Sequence, residues 1–208
     1  MSKYQLIFVL LLPIVYSQRV IRVYSDFTNQ QDLEFFRTTF PWIVTNLGSD
    51  LLVRYYFRNN GLNVGPRFCV LNMMRRNPYL QADYLRCEAQ GNSITECRRR
   101  MPMNNAVYNR CLRERVSRFM RNSAREFSRL RNPRTPTLIL EGEWQWNSLE
   151  PERWEVENLD PIRLLNNICW GYGRIRPAGC VNPTPFGNLT VAVNSTISVP
   201  NAVLLSSN

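Results

Sequence analysis

Histidine is absent from all 208 residues. The chain therefore has no imidazole to serve as a general base near neutral pH or to ligate zinc. Lysine occurs once, at Lys3, and no two cysteines are spaced C-x-x-C. Without histidine or such a pair, no metal site is expected, and no cofactor either. Long apolar runs are scarce as well. The longest spans residues 6–15, well short of the roughly 20 needed to cross a bilayer, so no membrane span is expected.

That short run has a different reading. Lys3 precedes it and Val15-Tyr16-Ser17 follows it, the order of a secretory signal peptide over residues 1–17. Cleavage there leaves 191 of the 208 residues, beginning near Gln18, a length suited to one domain with a real core. The expected product is secreted and extracellular, with a domain over residues 18–180 and a C-terminal tail over 181–208. In that tail, Asn188-Leu189-Thr190 and Asn194-Ser195-Thr196 are N-glycosylation sequons among Pro183, Pro185 and Pro200. Six cysteines, an even number in a secreted chain, predict three disulfides. Counting alone leaves every pairing open.

Charge is abundant and one-sided. Loss of Lys3 leaves 25 arginines against 16 acids. Residues 98–134 hold twelve arginines with only Glu114 and Glu126, whereas residues 141–160 hold seven acids with only Arg153. On a helical wheel Leu112, Val116, Phe119, Ala124, Phe127 and Leu130 fall on one side. Arg115, Arg118, Arg121, Arg125 and Arg129 fall opposite, a candidate polyanion-binding face. Its partner would be a protein or a cell-surface polyanion such as a sulfated glycan, since guanidinium binds carboxylate, sulfate and phosphate in planar, paired geometry. The same run also reads as a solvated helix face partly neutralised by the acidic segment. Nucleic acid is disfavoured, because aromatics do not interleave with the arginines as a stacking surface requires.

Apolar periodicity orders the elements. Residues 20–24 predict a strand, with Ser25-Asp26-Phe27 turning out of it. From Thr28 a helix is predicted, with Leu33, Phe36, Phe40, Ile43, Val44 and Leu47 inward and Gly48 closing it. Residues 51–57 predict a second strand, residues 66–131 only helices, and Thr137-Leu138-Ile139-Leu140 a short buried strand. Glu141-Gly142-Glu143 predicts a tight hairpin turn toward Trp144 and Trp146. A last helix is predicted from about residue 159 to 170, with Pro161 in its first turn. The order gives an α/β, thioredoxin-like fold, with a helical insertion between the second strand and the strand that follows Pro136.

These residues resemble the gamma-interferon-inducible lysosomal thiol reductase (GILT) family. Cys169-Trp170-Gly171-Tyr172, Pro177 and Cys180 resemble its C-x-x-Y…P-x-x-C ending, and residues 135–142 resemble its V-P-W-V-T-x-N-G stretch. Cys87-Glu88, Cys97 and Cys111 are similar in order to the cysteines of its helical insertion, and Cys69-Val70-Leu71-Asn72 is similar to its C-x-x-N. The resemblance implies a cis Thr135-Pro136 bond and disulfides Cys169–Cys180, Cys87–Cys97 and Cys69–Cys111. It also implies a lysosomal route as an alternative destination.

Where that family carries C-x-x-C after the first strand, this chain reads Thr28-Asn29-Gln30-Gln31, and the family's C-Q-H-G is missing. Disulfide exchange needs an attacking thiolate and a resolving thiol. The sequence therefore predicts a GILT-like glycoprotein without catalytic residues or reductase activity, working as a binding protein. Thr28 and Gln31 have the spacing of a capping box, which would keep the helix start while removing the sulfur. The alternative is a thiol–disulfide oxidoreductase using a non-standard cysteine, for which Cys69 is the candidate. A third reading has the groove between Phe27 and Pro136 holding extended chains in competition with active relatives.

Overall fold

Runs dense in β-branched, aromatic and leucine residues make strands of Arg19–Ser25 (β1), whose last three residues are all buried, and Leu51–Phe57 (β2), whose odd-numbered residues are buried. The computed structural model describes residues 18–58, 63–141, 153–155, 160–173 and 176–187. The leader, the turn expected at Gly142, Trp144, Trp146 and both sequons lie outside them. β1 and β2 run parallel, from Arg19 opposite Leu51 to Ser25 opposite Phe57. A parallel pair needs a crossover, and one long helix supplies it. It comprises α1 (Gln30–Glu34), a π-helical stretch (Phe35–Thr39) and α2 (Phe40–Leu47). The π stretch falls just before Pro41, which has no N–H to offer the ladder. Phe40 N–H bonds the carbonyl of Phe35, five residues back. Phe35, Phe36 and Phe40 are thereby all buried. Gly48, at φ 58°, ends the helix.

β3 (Thr137–Glu141) lies antiparallel on the other side of β1, and β4 (Arg153–Glu155) antiparallel to β3, giving the order β2-β1-β3-β4. Thr137 stands opposite Glu155 and Ile139 opposite Arg153. The strand paired with β3 is thus not the one expected at Trp144 and Trp146. A tight turn at residues 141–143 would set Ile139 opposite a residue near 145, and the longer connection over 142–152 places Arg153 there instead.

Between β2 and β3 come α3 (Val64–Met73), α4 (Pro78–Ala89), α5 (Ile94–Arg99), α6 (Asn105–Glu114) and α7 (Val116–Arg129). Side chains of the sheet divide by parity. Ile21, Val23, Leu138 and Leu140 join the main core with Phe36, Phe40, Ile43 and Leu85, while Tyr24 and Ile139 pack on the opposite face with Phe127. α7 reaches both cores, through Phe119 in the first and Phe127 in the second. Its buried stripe contains Ser123 and Glu126 where the wheel had placed Ala124, which is exposed. The helix is interrupted at Arg115 (φ −112°, ψ −24°), and this break rotates α7 relative to a wheel drawn through from Leu112. α8 (Pro161–Trp170) adds Leu164, Leu165 and Ile168 to the main core.

Three disulfides fasten the helices: Cys69–Cys111, Cys87–Cys97 and Cys169–Cys180, the pairs the resemblance implied. They close separations of 42, 10 and 11 residues. By chain entropy the first stabilises by about 4 kcal/mol and each of the others by roughly 3 kcal/mol. The last helps hold α9 (Ala178–Val181) against α2. There, a Cβ on Gly179 would stand 2.0 Å from the Asn46 carbonyl oxygen. Trp42 Nε1 donates to Thr184 O at 2.8 Å, completing the strap. No helix among the described residues is long and apolar enough to cross a membrane.

Candidate functional site: the turn after β1

β1 ends at Ser25 beside Phe57, and the chain turns through Asp26, Phe27 and Thr28 into α1. Asp26 organises the turn. Its Oδ1 accepts from the Thr28 hydroxyl at 2.7 Å and from Thr28 N–H at 3.1 Å, and its carbonyl accepts from Asn29 N–H at 2.9 Å. With its hydroxyl committed backward, Thr28 does not cap the helix. Asn29 does, at φ −93°, ψ 131°, its Oδ1 accepting from Gln31 N–H at 3.0 Å. The capping box expected of Thr28 and Gln31 is therefore not formed: the cap sits one residue on, at Asn29, Gln31 receives it through its backbone, and Asn29 N–H bonds the Asp26 carbonyl. Such a cap is worth about 1 kcal/mol.

Asn29 makes a second link. Its Nδ2 donates to the Thr135 carbonyl at 3.2 Å, across the turn from the cis Thr135-Pro136 bond. Arg58, just beyond β2, ties down the same region. It donates to the Pro133 carbonyl at 3.0 Å, approaches Asp26 Oδ2 at 3.9 Å and lies 5.4 Å from the Phe127 ring centre. The positions that match C-x-x-C and the cis proline are thus brought together and fixed by amide, carboxylate and guanidinium groups.

Beneath the turn, Asp32 has no exposed surface. Its Oδ2 accepts from Asp26 N–H. Burial pushes its carboxyl from 3.8 up to about 6, opposed by that N–H and by the hydroxyls of Ser25 and Thr135. On the other side Phe27 stacks on Phe36 at 5.0 Å and lies over the Arg67 guanidinium, 3.8 Å from the ring centre. Arg67 is itself buried and donates through Nε and Nη2 to Glu88 Oε2, at 3.0 and 2.7 Å. This ion pair joins α3 to α4 within the helical insertion, and the stacking of Arg67 on Phe27 carries it to the turn. The sequence had marked Glu88 only as the neighbour of Cys87, and Arg67 carried no signal that set it apart from the other 24 arginines.

Sulfur is present but engaged. Every cysteine is in a disulfide. Cys69, the candidate for a non-standard nucleophile, is fully buried and bonded to Cys111.

The path of the chain can be set beside known structures. Wolbachia pipientis alpha-DsbA1 superposes with a TM-score of 0.56 at 13% identity, over 76% of this chain and 87% of that one. Its form with two cysteines replaced gives 0.57 at 12% identity over the same shares. The fold is thioredoxin-like. No family model matches the chain, and no curated protein is similar to it in sequence. What a thioredoxin-like fold contributes is the meeting of the first turn with the cis-proline loop. The chemistry at that meeting point is set by this chain's own residues, which offer hydroxyl, amide and carboxylate groups where exchange would need a thiolate.

A second candidate surface lies on α7 and its N-cap residue, Arg115. Arg115, Arg118, Arg121, Arg125 and Arg129 are all exposed, as the wheel predicts. Arg129 is partly neutralised by Glu126 at 2.8 Å, and Arg125 donates to Asn122 at 3.2 Å. Arg115, Arg118 and Arg121 have no ion-pair partner among the described residues.

Proposed function

We propose that this chain is a secreted, GILT-like glycoprotein without thiol reductase activity, which works by binding. One observation carries the reading: the helix start where a reactive thiol pair would sit is closed by Asp26, Thr28 and Asn29, while all six cysteines are consumed in disulfides. The binding surface is the α7 arginine face, and the partner a sulfated glycan or another cell-surface polyanion. Arg115, Arg118 and Arg121 stand about one helical turn apart with no ion-pair partner among the described residues, so their field extends into solvent. The domain over residues 18–180 is the binding unit, and the tail carries glycans at Asn188 and Asn194.

The test has two arms. Maleimide labelling in guanidinium should find no thiol, and a dithiol-coupled insulin reduction assay at acidic and neutral pH should show no turnover. Turnover above that of Cys69→Ser would sink the redox part. On a heparin column the protein should elute well above physiological salt, and Arg115→Glu/Arg118→Glu/Arg121→Glu should elute near it. Coelution of the two proteins would remove the polyanion face.

A further inference from the structure

An opening lies between β2 and α3, and none of the turn residues Asp26, Thr28 and Asn29 contributes to it. Residues 52–57 line one side and Phe68, Leu71, Asn72, Arg75 and Arg76 the other, around a volume of about 480 Å³. Pockets that take small molecules run from about 300 to 1,000 Å³. Six consecutive strand residues cover about 17 Å, so the volume is drawn out along β2 and narrow. Val53, Tyr55 and Phe57 close its floor, buried in the main core. Half-buried Leu52, Phe68 and Asn72 frame the side toward solvent, with the exposed arginines beside them.

The polarity of this cleft runs in one direction. Phe68, Leu71, Asn72 and Arg75 recur every three or four residues, so a single stripe of α3 and the turn after it faces the opening. At one end of the stripe Phe68 is stacked on Phe119, 3.8 Å between ring centres. At the other, about 10 Å away along the helix axis, stand Arg75 and Arg76, exposed and without an ion-pair partner among the described residues. Arg54, the third arginine of the lining, is shared with Glu141 at 3.2 Å, and no carboxylate lines the opening. The polar groups on the inner side are engaged with one another. The Tyr55 hydroxyl donates to Gln81 Oε1 at 3.4 Å, and Gln81 Nε2 donates to the Leu71 carbonyl at 3.1 Å. The interior therefore suits hydrocarbon, and the arginine end suits a negative charge.

We propose that this cleft binds a free fatty acid, with its chain laid against Phe68 and the β2 side and its carboxylate held by Arg75 and Arg76. Guanidinium meets a carboxylate in paired, planar geometry, and each methylene taken out of water adds to the affinity. The inference goes beyond the polyanion reading and does not use the arginines of α7, so either can fail alone.

The test is calorimetric titration of laurate, below its micelle-forming concentration, into the intact, disulfide-bonded protein. Laurate should bind one to one, and about tenfold or more tighter than hexanoate, whose shorter chain leaves less hydrocarbon to bury. Dodecanol keeps the chain and lacks the charge, so it should bind about tenfold or more weaker than laurate. Arg75→Glu/Arg76→Glu, on an exposed turn, should weaken laurate by a similar factor and leave dodecanol unchanged. Asn72→Trp fills the cleft and keeps both arginines; it should abolish binding of both while urea unfolding stays as in the native protein. Absence of saturable binding, equal affinity for laurate and hexanoate, or laurate binding that survives either variant overturns the proposal. So does binding to phosphatidylglycerol vesicles without binding of the free acid, which would assign Arg75 and Arg76 to a bilayer surface.

Discussion

Replacing Asp32 by asparagine should stabilise this protein at neutral pH and do little at pH 4. Asp32 is wholly buried, and its carboxyl is lifted from 3.8 to about 6, chiefly by loss of solvent. A carboxyl that holds its proton more tightly folded than unfolded leaves the native state with more bound protons across that interval. Stability therefore falls as the pH rises through it. The lift corresponds to about 3 kcal/mol when fully expressed above the folded value. Asparagine never ionises, and it keeps an oxygen to accept Asp26 N–H. Its amide would replace Oδ1, which has no hydrogen-bond partner, and could donate to the nearby Ser25 and Thr135 hydroxyls. The expected gain is about 1–3 kcal/mol at pH 7, shrinking toward zero at pH 4. Urea unfolding of both proteins at several pH values between these, compared as differences at equal m, isolates Asp32 from every other carboxylate. A difference that stays constant with pH, or a variant less stable at pH 7, would refute the argument.

Two further substitutions probe the supports of the turn. Arg67→Met strands the Glu88 carboxylate in the core and should cost about 3–5 kcal/mol in thermal or urea unfolding. Adding Glu88→Leu should recover most of it, and a double variant no more stable than the single one would show that the pair does not act as read. Asn29→Ala removes both the cap and the donor to Thr135 O, with an expected cost of about 1–2 kcal/mol and faster exchange at the Gln31 amide. Asn29→Asp keeps the cap acceptor and loses the donor, so it should fall between the two; equality with alanine would show that the cap contributes nothing.

Much of the architecture is legible in the chain because it rests on short-range rules. β1, β2 and β3 are runs dense in β-branched, aromatic and leucine residues, and α8 opens on Pro161, so their limits follow from composition and punctuation. The site is harder to read. Thr28 and Asn29 are adjacent and both are good capping residues. The choice between them is made by Asp26, whose carboxylate draws the threonine hydroxyl back, and no pattern of spacing reveals that. β4 hides in an acidic stretch because its pairing depends on β3 rather than on its own propensity. Arg67 differs from its fellow arginines only in having Glu88 and Phe27 beside it, a matter of tertiary placement alone.

The π-helical stretch of the crossover helix has a bearing on the distance from Asn29 to Thr135. Five residues there occupy arc that an α ladder would give to four, so the stretch absorbs one residue without turning the half of the helix before Phe35 against the half after Thr39. Excising a single residue from Phe35–Thr39 would let an α ladder cover the same arc and leave the amide of Asn29 facing as it does, whereas the same excision in an unbroken α-helix would swing it by about 100° around the axis. The seam between the first turn and the proline loop is in that sense insured against a miscount, because the widened turn can take up a one-residue indel.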